Sequence, residues 1–186
     1  MVATNSAMLP LGTIAPDFEL PDPSGTPHRL DDIAAGSAAL VVMFLSNHCP
    51  YVRHIGREIG LITQTMLSRD VAVVGIMSND VDAYPDDAPP LMAATARSFG
   101  WDFPYLYDES QSVARAYGAT CTPDFFVFDA DGALAYRGQF DGARPSNDVA
   151  ATGRDLKAAV DALRRGETPS DEQFASLGCN IKWRTD

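Results

Sequence analysis

The residues with the most evident capacity for chemistry lie together in Ser46-Asn47-His48-Cys49-Pro50. An apolar run, Ala38 to Leu45, precedes them. A pattern with Val52, Ile55, Ile59, Ile62 and Met66 follows, and its 3–4–3–4 spacing marks one face of a helix. Pro50 falls where the first helical residue belongs, because its missing N–H would be unpaired there in any case. Cys49 is then the N-cap. A thiol at that place faces the unpaired N–H groups of the first turn and the positive end of the helix dipole, and both favour the thiolate, the reactive form. A thiolate can open an O–O bond and become a sulfenic acid, or attack a disulfide sulfur. The alternative for Cys49 is a small buried apolar residue. Ser46, three residues earlier, is expected either to donate to the thiolate or to cap a backbone N–H.

Two other cysteines could act as partners. Cys121 stands two residues before Pro123 and is either a resolving cysteine or a small buried residue. Cys179 lies in a C-terminal segment from which it could reach over the site. Cα atoms more than about 7 Å apart cannot be bridged without movement. His48 and His54 beside Cys49 fit no closed zinc pattern, so neither metal nor cofactor is expected. His48 is expected at the mouth of the site, stabilising the thiolate when charged, and His54 on a solvated helix face. Asp17, Glu19, Asp22 and the pair Asp86-Asp87 read as solvated or turn residues. Phosphate loops, Ser-His-Asp motifs and nucleotide fingerprints are absent.

These residues need elements to position them. Ala38–Leu45 and Val71–Met77 read as buried strands flanking the helix, a β-α-β unit with parallel strands and a right-handed crossover. Ser78-Asn79-Asp80 follows the carboxyl end of the second strand, where open α/β sheets place their sites. A hairpin is expected around Pro23–Thr26, one capped helical turn over Asp31–Gly36, and a loop over Pro85–Pro90. Helices are expected over Leu91–Phe99 and Ser110–Tyr117, ended by Gly100 and Gly118. Asp124–Asp129 and Ala133–Arg137 form a hairpin about Asp131-Gly132. The last helix is expected to start near Thr152-Gly153-Arg154-Asp155, with Leu156, Ala159, Val160 and Leu163 as its apolar stripe. The order hairpin, β-α-β, helical insertion, β-β-α predicts an α/β thioredoxin-like fold: a central mixed sheet flanked by helices. One domain is expected over 1–186, with a core of about 10–165 and a tail at 167–186. That tail carries Phe174, Leu177, Cys179, Ile181 and Trp183, too apolar for plain disorder.

Composition narrows the function. The chain has 186 residues, 46% hydrophobic and 21% charged, as in an ordinary globular protein. Its net charge of −11, with no basic stripe, argues against nucleic acid or an anionic membrane as partner. The first eight residues lack the charge and apolar core of a signal peptide, and no run is long enough to span a bilayer, so a cytoplasmic location with reduced thiols is expected.

The chain resembles the alkyl hydroperoxide reductase/thiol-specific antioxidant (peroxiredoxin-like) branch of the thioredoxin-like superfamily over about residues 10–165. Gly12-Thr13-Ile14-Ala15-Pro16-Asp17-Phe18-Glu19-Leu20 is similar to its G-x-x-A-P-D-F-x-L. Ser46–Pro50 is similar to T/S-x-x-C-P, and Thr122-Pro123 to the cis-proline of the fold. Asp129–Gly132 with Tyr136-Arg137-Gly138 matches D-x-x-G…Y-R-G. A subgroup with N-H-C-P-Y-V, A-Y-P-E-D, C-T-P-D-F-F and G-C-x-I-K-W resembles it further, at Asn47–Val52, Ala83–Asp87, Cys121–Phe126 and Gly178–Trp183.

The resemblance implies a redox-active cysteine and an antioxidant role in cell redox homeostasis. Cys49, Ser46 and Cys121 are the implied catalytic set. Asn47, His48, Pro50, Thr122 and Pro123 are the implied substrate contacts. The partners would be a hydroperoxide or disulfide substrate and an external thiol reductant of thioredoxin or glutathione type. Relatives in the subgroup carry Cys where this chain has Ser46, so no disulfide can form within the motif. The proline that peroxiredoxins place seven residues before the cysteine is Val42 here, and their activating arginine has only Arg53 and Arg137 as candidates. A thiol peroxidase is the leading expectation. A monothiol thiol–disulfide oxidoreductase and a non-catalytic redox sensor or binding module remain open.

Overall fold

The computed structural model describes residues 3–185; residues 1, 2 and 186, the ends of the expected 1–186 domain, lie outside them. In chain order the elements are β1 (Ala3–Asn5), β2 (Glu19–Pro21), β3 (Pro27–Arg29), α1 (Leu30–Ala34), β4 (Ala39–Phe44), α2 (Pro50–Leu67), β5 (Val71–Met77), α3 (Pro89–Phe99), β6 (Tyr105–Tyr107), α4 (Ser112–Ala116), β7 (Cys121–Thr122), β8 (Asp124–Asp129), β9 (Leu134–Gly138), α5 (Arg154–Arg164) and β10 (Leu177–Asn180). A 3-10 turn covers Pro85–Asp87.

The central sheet has the order β6-β5-β4-β8-β9. Strands β4, β5 and β6 run parallel, while β8 pairs antiparallel to β4 and β9 antiparallel to β8. This is the mixed thioredoxin-like sheet expected from the element order. Strands β4 and β5 are buried at every position, which explains why their sequences run apolar instead of alternating. Val41 and Met43 of β4 join one core cluster and Leu40, Val42 and Phe44 the other, so β4 divides the two cores by its pleat.

Helix α2 turns Val52, Ile55, Ile59 and Met66 inward. Each buried side chain of this size contributes about 1.5–3 kcal/mol. Gly60 lets the helix press against the end of α3: a Cβ there would collide with the carbonyl of Phe99. That contact fixes the axial position of α2 and therefore of its N-terminus. Helix α3 stops at Gly100 in the left-handed conformation, φ +69°, as a glycine after a helix commonly does. At α5 the cap differs from expectation. Gly153 is the N-cap, and the backbone N–H groups of Thr152 and Gly153 donate to the Asp141 carboxylate at 2.6 and 2.7 Å.

The C-terminal segment does not trail. Strand β10 lies between β1 and β7 in a second, three-stranded antiparallel sheet. Cys179 pairs with Thr122 and Asn180 with Cys121. Gly178 makes the approach possible, since a Cβ on it would run into the Thr122 carbonyl. Sequence patterning alone could not pair a four-residue strand with a partner 55 residues away.

Candidate active site

Cys49 is the N-cap of α2 and Pro50 its first residue. The placement follows from local chemistry, with an extended N-cap (φ −65°, ψ 121°) and a proline already carrying helical φ. The side chain is wholly buried, at 0% exposure. Its Sγ lies 3.0 Å from the Thr122 carbonyl, to which the thiol donates. The Thr122–Pro123 peptide is cis, as the resemblance implies. The Cys179 thiol donates to Cys49 from the other side, and the backbone N–H groups of Val52 and Cys179 also point at the sulfur. The Cys179 hydrogen bond, with the Thr122 side-chain hydroxyl and those N–H groups, outweighs the cost of burying the charge and pulls Cys49 from 9.0 down to about 6. Cys179 is pushed upward in turn, because it is the donor beside the thiolate. The pair shares its titration, and the geometry assigns the negative charge to the sulfur on the helix N-terminus.

Cys121 behaves oppositely. It is buried, its thiol donates to the Pro123 carbonyl at 3.7 Å, and burial and the nearby Asp124 push it well above an ordinary thiol, against a weaker opposing contact with the Thr120 side chain. Antiparallel partners place their side chains on one face, and successive residues on opposite faces. Cys179 and Thr122 therefore share the face toward Cys49, whereas Cys121 and Asn180 take the other. Of the two cysteines that could partner Cys49, Cys179 is the one beside it and Cys121 is turned away, because of this one-residue offset.

Asp87 corrects the sequence reading more sharply. Read as a solvated turn residue, it has 0% exposure and organises the motif. Its carboxylate accepts from Ser46 Oγ at 3.1 Å to each oxygen, from the Asn47 N–H at 2.7 Å and from Asn79 Nδ2 at 2.6 Å. It also pairs with His48 Nδ1 at 2.9 Å. Burial works to raise its pKa, but these donors, His48 first, prevail and hold it below the ordinary value. His48 is raised, chiefly by the Asp87 hydrogen bond. The ring stacks on Tyr84, with centroids 5.8 Å apart and planes 6° apart.

Ser46 accordingly spends its hydroxyl hydrogen on Asp87 and accepts the Cys49 N–H at 3.2 Å. Of the roles expected for it, the structure shows the cap on a backbone N–H, and this positions the motif. Asn47 is equally engaged, with Nδ2 on the Asp86 carbonyl at 3.1 Å and the Tyr105 hydroxyl donating to its Oδ1 at 3.2 Å. Asn47 and His48 line an open groove of about 440 Å³ with Arg53, Asp86 and Leu91. Pro50 is exposed beside the mouth, while Thr122 and Pro123 are buried under the cysteine. His54 lies exposed on α2. Arg137 lies apart: its guanidinium donates to the Leu9 carbonyl at 2.8 Å and to Gln173 Oε1 at 2.7 Å. Arg53 is thus the arginine that the groove contains.

The tail reinforces the network. The Lys182 N–H donates to Asn79 Oδ1 at 2.8 Å, and its Nζ lies 5.6 Å from the centre of the Tyr84 ring. The four sequence pieces of the subgroup resemblance therefore meet around one sulfur. That convergence was the signal available for Asp87 and Lys182, whose individual types said nothing. Among the described residues no group of three or more His, Cys, Asp or Glu is arranged to hold a metal ion, and no helix is long and apolar enough to cross a membrane.

A mixed thioredoxin-like sheet, a thiolate-favouring cysteine on a helix N-terminus and a cis-proline loop against its sulfur define a protein of the thiol oxidoreductase class. The AhpC/TSA family model matches residues 11–137, more than half the chain, and the protein belongs to the AhpC/TSA family. An uncharacterized conserved protein from Geobacillus kaustophilus is 45% identical, covering 100% of this chain and 98% of its own, with a TM-score of 0.97. A hypothetical protein from Sinorhizobium meliloti 1021 is 46% identical over 98% of this chain and 100% of its own, with a TM-score of 0.96. Peroxidoxin BcpB from Mycobacterium tuberculosis shares the fold at 22% identity and a TM-score of 0.61, covering 83% of this chain and 96% of its own. Comparison with curated proteins found no match.

Proposed function

We infer that the protein is a thiol peroxidase in which Cys49 reduces hydroperoxides at the expense of an external thiol. The observation that carries this reading is the state of Cys49: favoured as thiolate, yet with no exposed surface. A sulfur so enclosed suits a small oxidant that can enter beside it. It suits poorly a protein disulfide, which must bring its own sulfur into line with the attacking one. The Cys49 thiolate attacks the outer oxygen of ROOH, the O–O bond breaks, and Cys49–SOH forms. The alkoxide leaves and takes a proton to become ROH. His48, whose pKa the Asp87 hydrogen bond raises, is the donor assigned to that proton.

Small molecules approach through the groove between α2 and α3, with Arg53 and the exposed Leu91 along its wall. Regeneration draws on a thiol reductant of thioredoxin or glutathione type, and buried reduced thiols suit a cytoplasmic location. Stopped-flow mixing of reduced protein with hydrogen peroxide tests the proposal. A rapid, saturable-by-stoichiometry oxidation that Cys49→Ser abolishes is expected. Inertness to peroxide combined with fast exchange with a small aromatic disulfide would establish a thiol–disulfide oxidoreductase instead. Inertness to both would leave a non-catalytic module.

A further inference from the structure

We propose that Cys179, carried by β10 of the C-terminal segment, is the thiol that resolves oxidised Cys49, so that the protein cycles between a dithiol and a Cys49–Cys179 disulfide. The proposal rests on the reactivity of Cys49 inferred above and adds the identity of its partner.

Three independent features of the fold support it. The two sulfurs are already in hydrogen-bonding contact in the reduced protein. Reaching an S–S bond of about 2.05 Å needs a short approach and no unfolding. Second, Cys179 is held in place by the ladder. It pairs with Thr122, the residue whose carbonyl contacts Cys49, and Gly178 removes the side chain that would keep β10 off the loop. Third, Cys121 belongs to the opposite face of the same two strands and directs its thiol at Pro123. Ser46 closes the remaining route, because it stands at the other position of the motif and carries no sulfur.

The chemistry balances without another oxidant. Hydroperoxide takes two electrons from Cys49 and leaves Cys49–SOH and ROH. The Cys179 sulfur then attacks the Cys49 sulfur. The S–O bond breaks, the S–S bond forms, and hydroxide leaves with the Cys179 proton as water. Two equivalents of an external thiol later return two electrons and two protons, yielding both free thiols and the external disulfide. Cys179 must lose its proton only when it attacks. Its raised pKa keeps it a donor to the Cys49 thiolate until then.

The test oxidises the unaltered, fully reduced chain with one equivalent of hydrogen peroxide, blocks thiols and maps disulfide-linked peptides. The expected result is a single link, Cys49 to Cys179, and one unreacted thiol at Cys121. The same treatment of Cys179→Ser should abolish the link and leave Cys49 as a sulfenic acid trapped by dimedone. A link from Cys49 to Cys121, or a dimedone-trappable sulfenic acid that persists as long in the unaltered chain as in Cys179→Ser, would overturn the assignment while leaving Cys49 reactive. Absence of any Cys49 oxidation would instead defeat the peroxidase reading. Mapping the unaltered chain needs no variant to fold.

Discussion

Cys49 and Cys121 flank one cis-proline loop, are equally buried, and differ in what surrounds the sulfur. Cys49 receives donors: the Cys179 thiol, the Thr122 side-chain hydroxyl, and the Val52 and Cys179 N–H groups. Cys121 receives a carbonyl and a neighbouring carboxyl. Burial penalises charge at both. Directed donors reverse the penalty at one and leave it standing at the other. Depth in the fold therefore says little about thiol reactivity; the orientation of dipoles decides it.

Removing the Cys49 sulfur gives the largest expected contrast. Cys49→Ser should reduce peroxide consumption to background, whereas Cys121→Ser should retain a rate within about threefold of the parent, given a thiol that is protonated at neutral pH. Equal losses in a peroxide assay would erase the distinction between the two cysteines.

Asp87→Ala attacks the platform under Cys49. It leaves Ser46, Asn47, His48 and Asn79 without their common acceptor, and removing one partner of a buried ion pair costs about 3–5 kcal/mol. Urea unfolding should show this loss. A cost under about 1 kcal/mol would mean that the carboxylate is not the organiser its geometry indicates.

The third outcome concerns pH. Thiolate absorbance near 240 nm should rise with a midpoint at about 6 and vanish in Cys49→Ser. Because the folded pKa is depressed, the stabilisation linked to Cys49 is fully present above the unfolded thiol value of about 9 and is lost as pH falls through about 6. Cys179→Ala should move the midpoint upward, and Cys179→Ser should largely restore it. A midpoint unmoved by alanine would remove Cys179 from the list of donors.

The smallest effect is expected at Asp124, on the Cys121 side. Its carboxyl is wholly buried, and burial holds the acid well above its ordinary pKa. A raised carboxyl pKa means that stability present below about 4 declines as pH rises toward the folded value. Asp124→Asn should therefore gain in thermal stability relative to the parent as pH goes from 5 to 8, by about 1–2 kcal/mol at most once the unsatisfied amide is counted. A pH-independent difference would show that the acid is not the source.

The local parts of this protein were legible in its residues. Ala38–Leu45, Cys49, Pro50 and the apolar face of α2 specify a strand, a cap and a helix through interactions within a few residues. The parallel and antiparallel halves of the sheet followed from the order of such pieces. The tail was legible only as something too apolar to be free. What surrounds the sulfur depended on contacts far apart in the chain: Asp87 on Ser46 across 41 residues, Thr122 on Cys49 across 73, Lys182 on Asn79 across 103. An aspartate in a Pro-Asp-Asp turn carries no mark of burial, and two cysteines near one loop carry no mark of which face each takes. A single residue of register in β7 against β10 turns Cys179 toward Cys49 and Cys121 away, and register is a property of the assembled sheet. The sequence alone determined that a cysteine would cap a helix N-terminus; the tertiary structure decided its neighbours, because only folding brings β10 against the cis-proline loop.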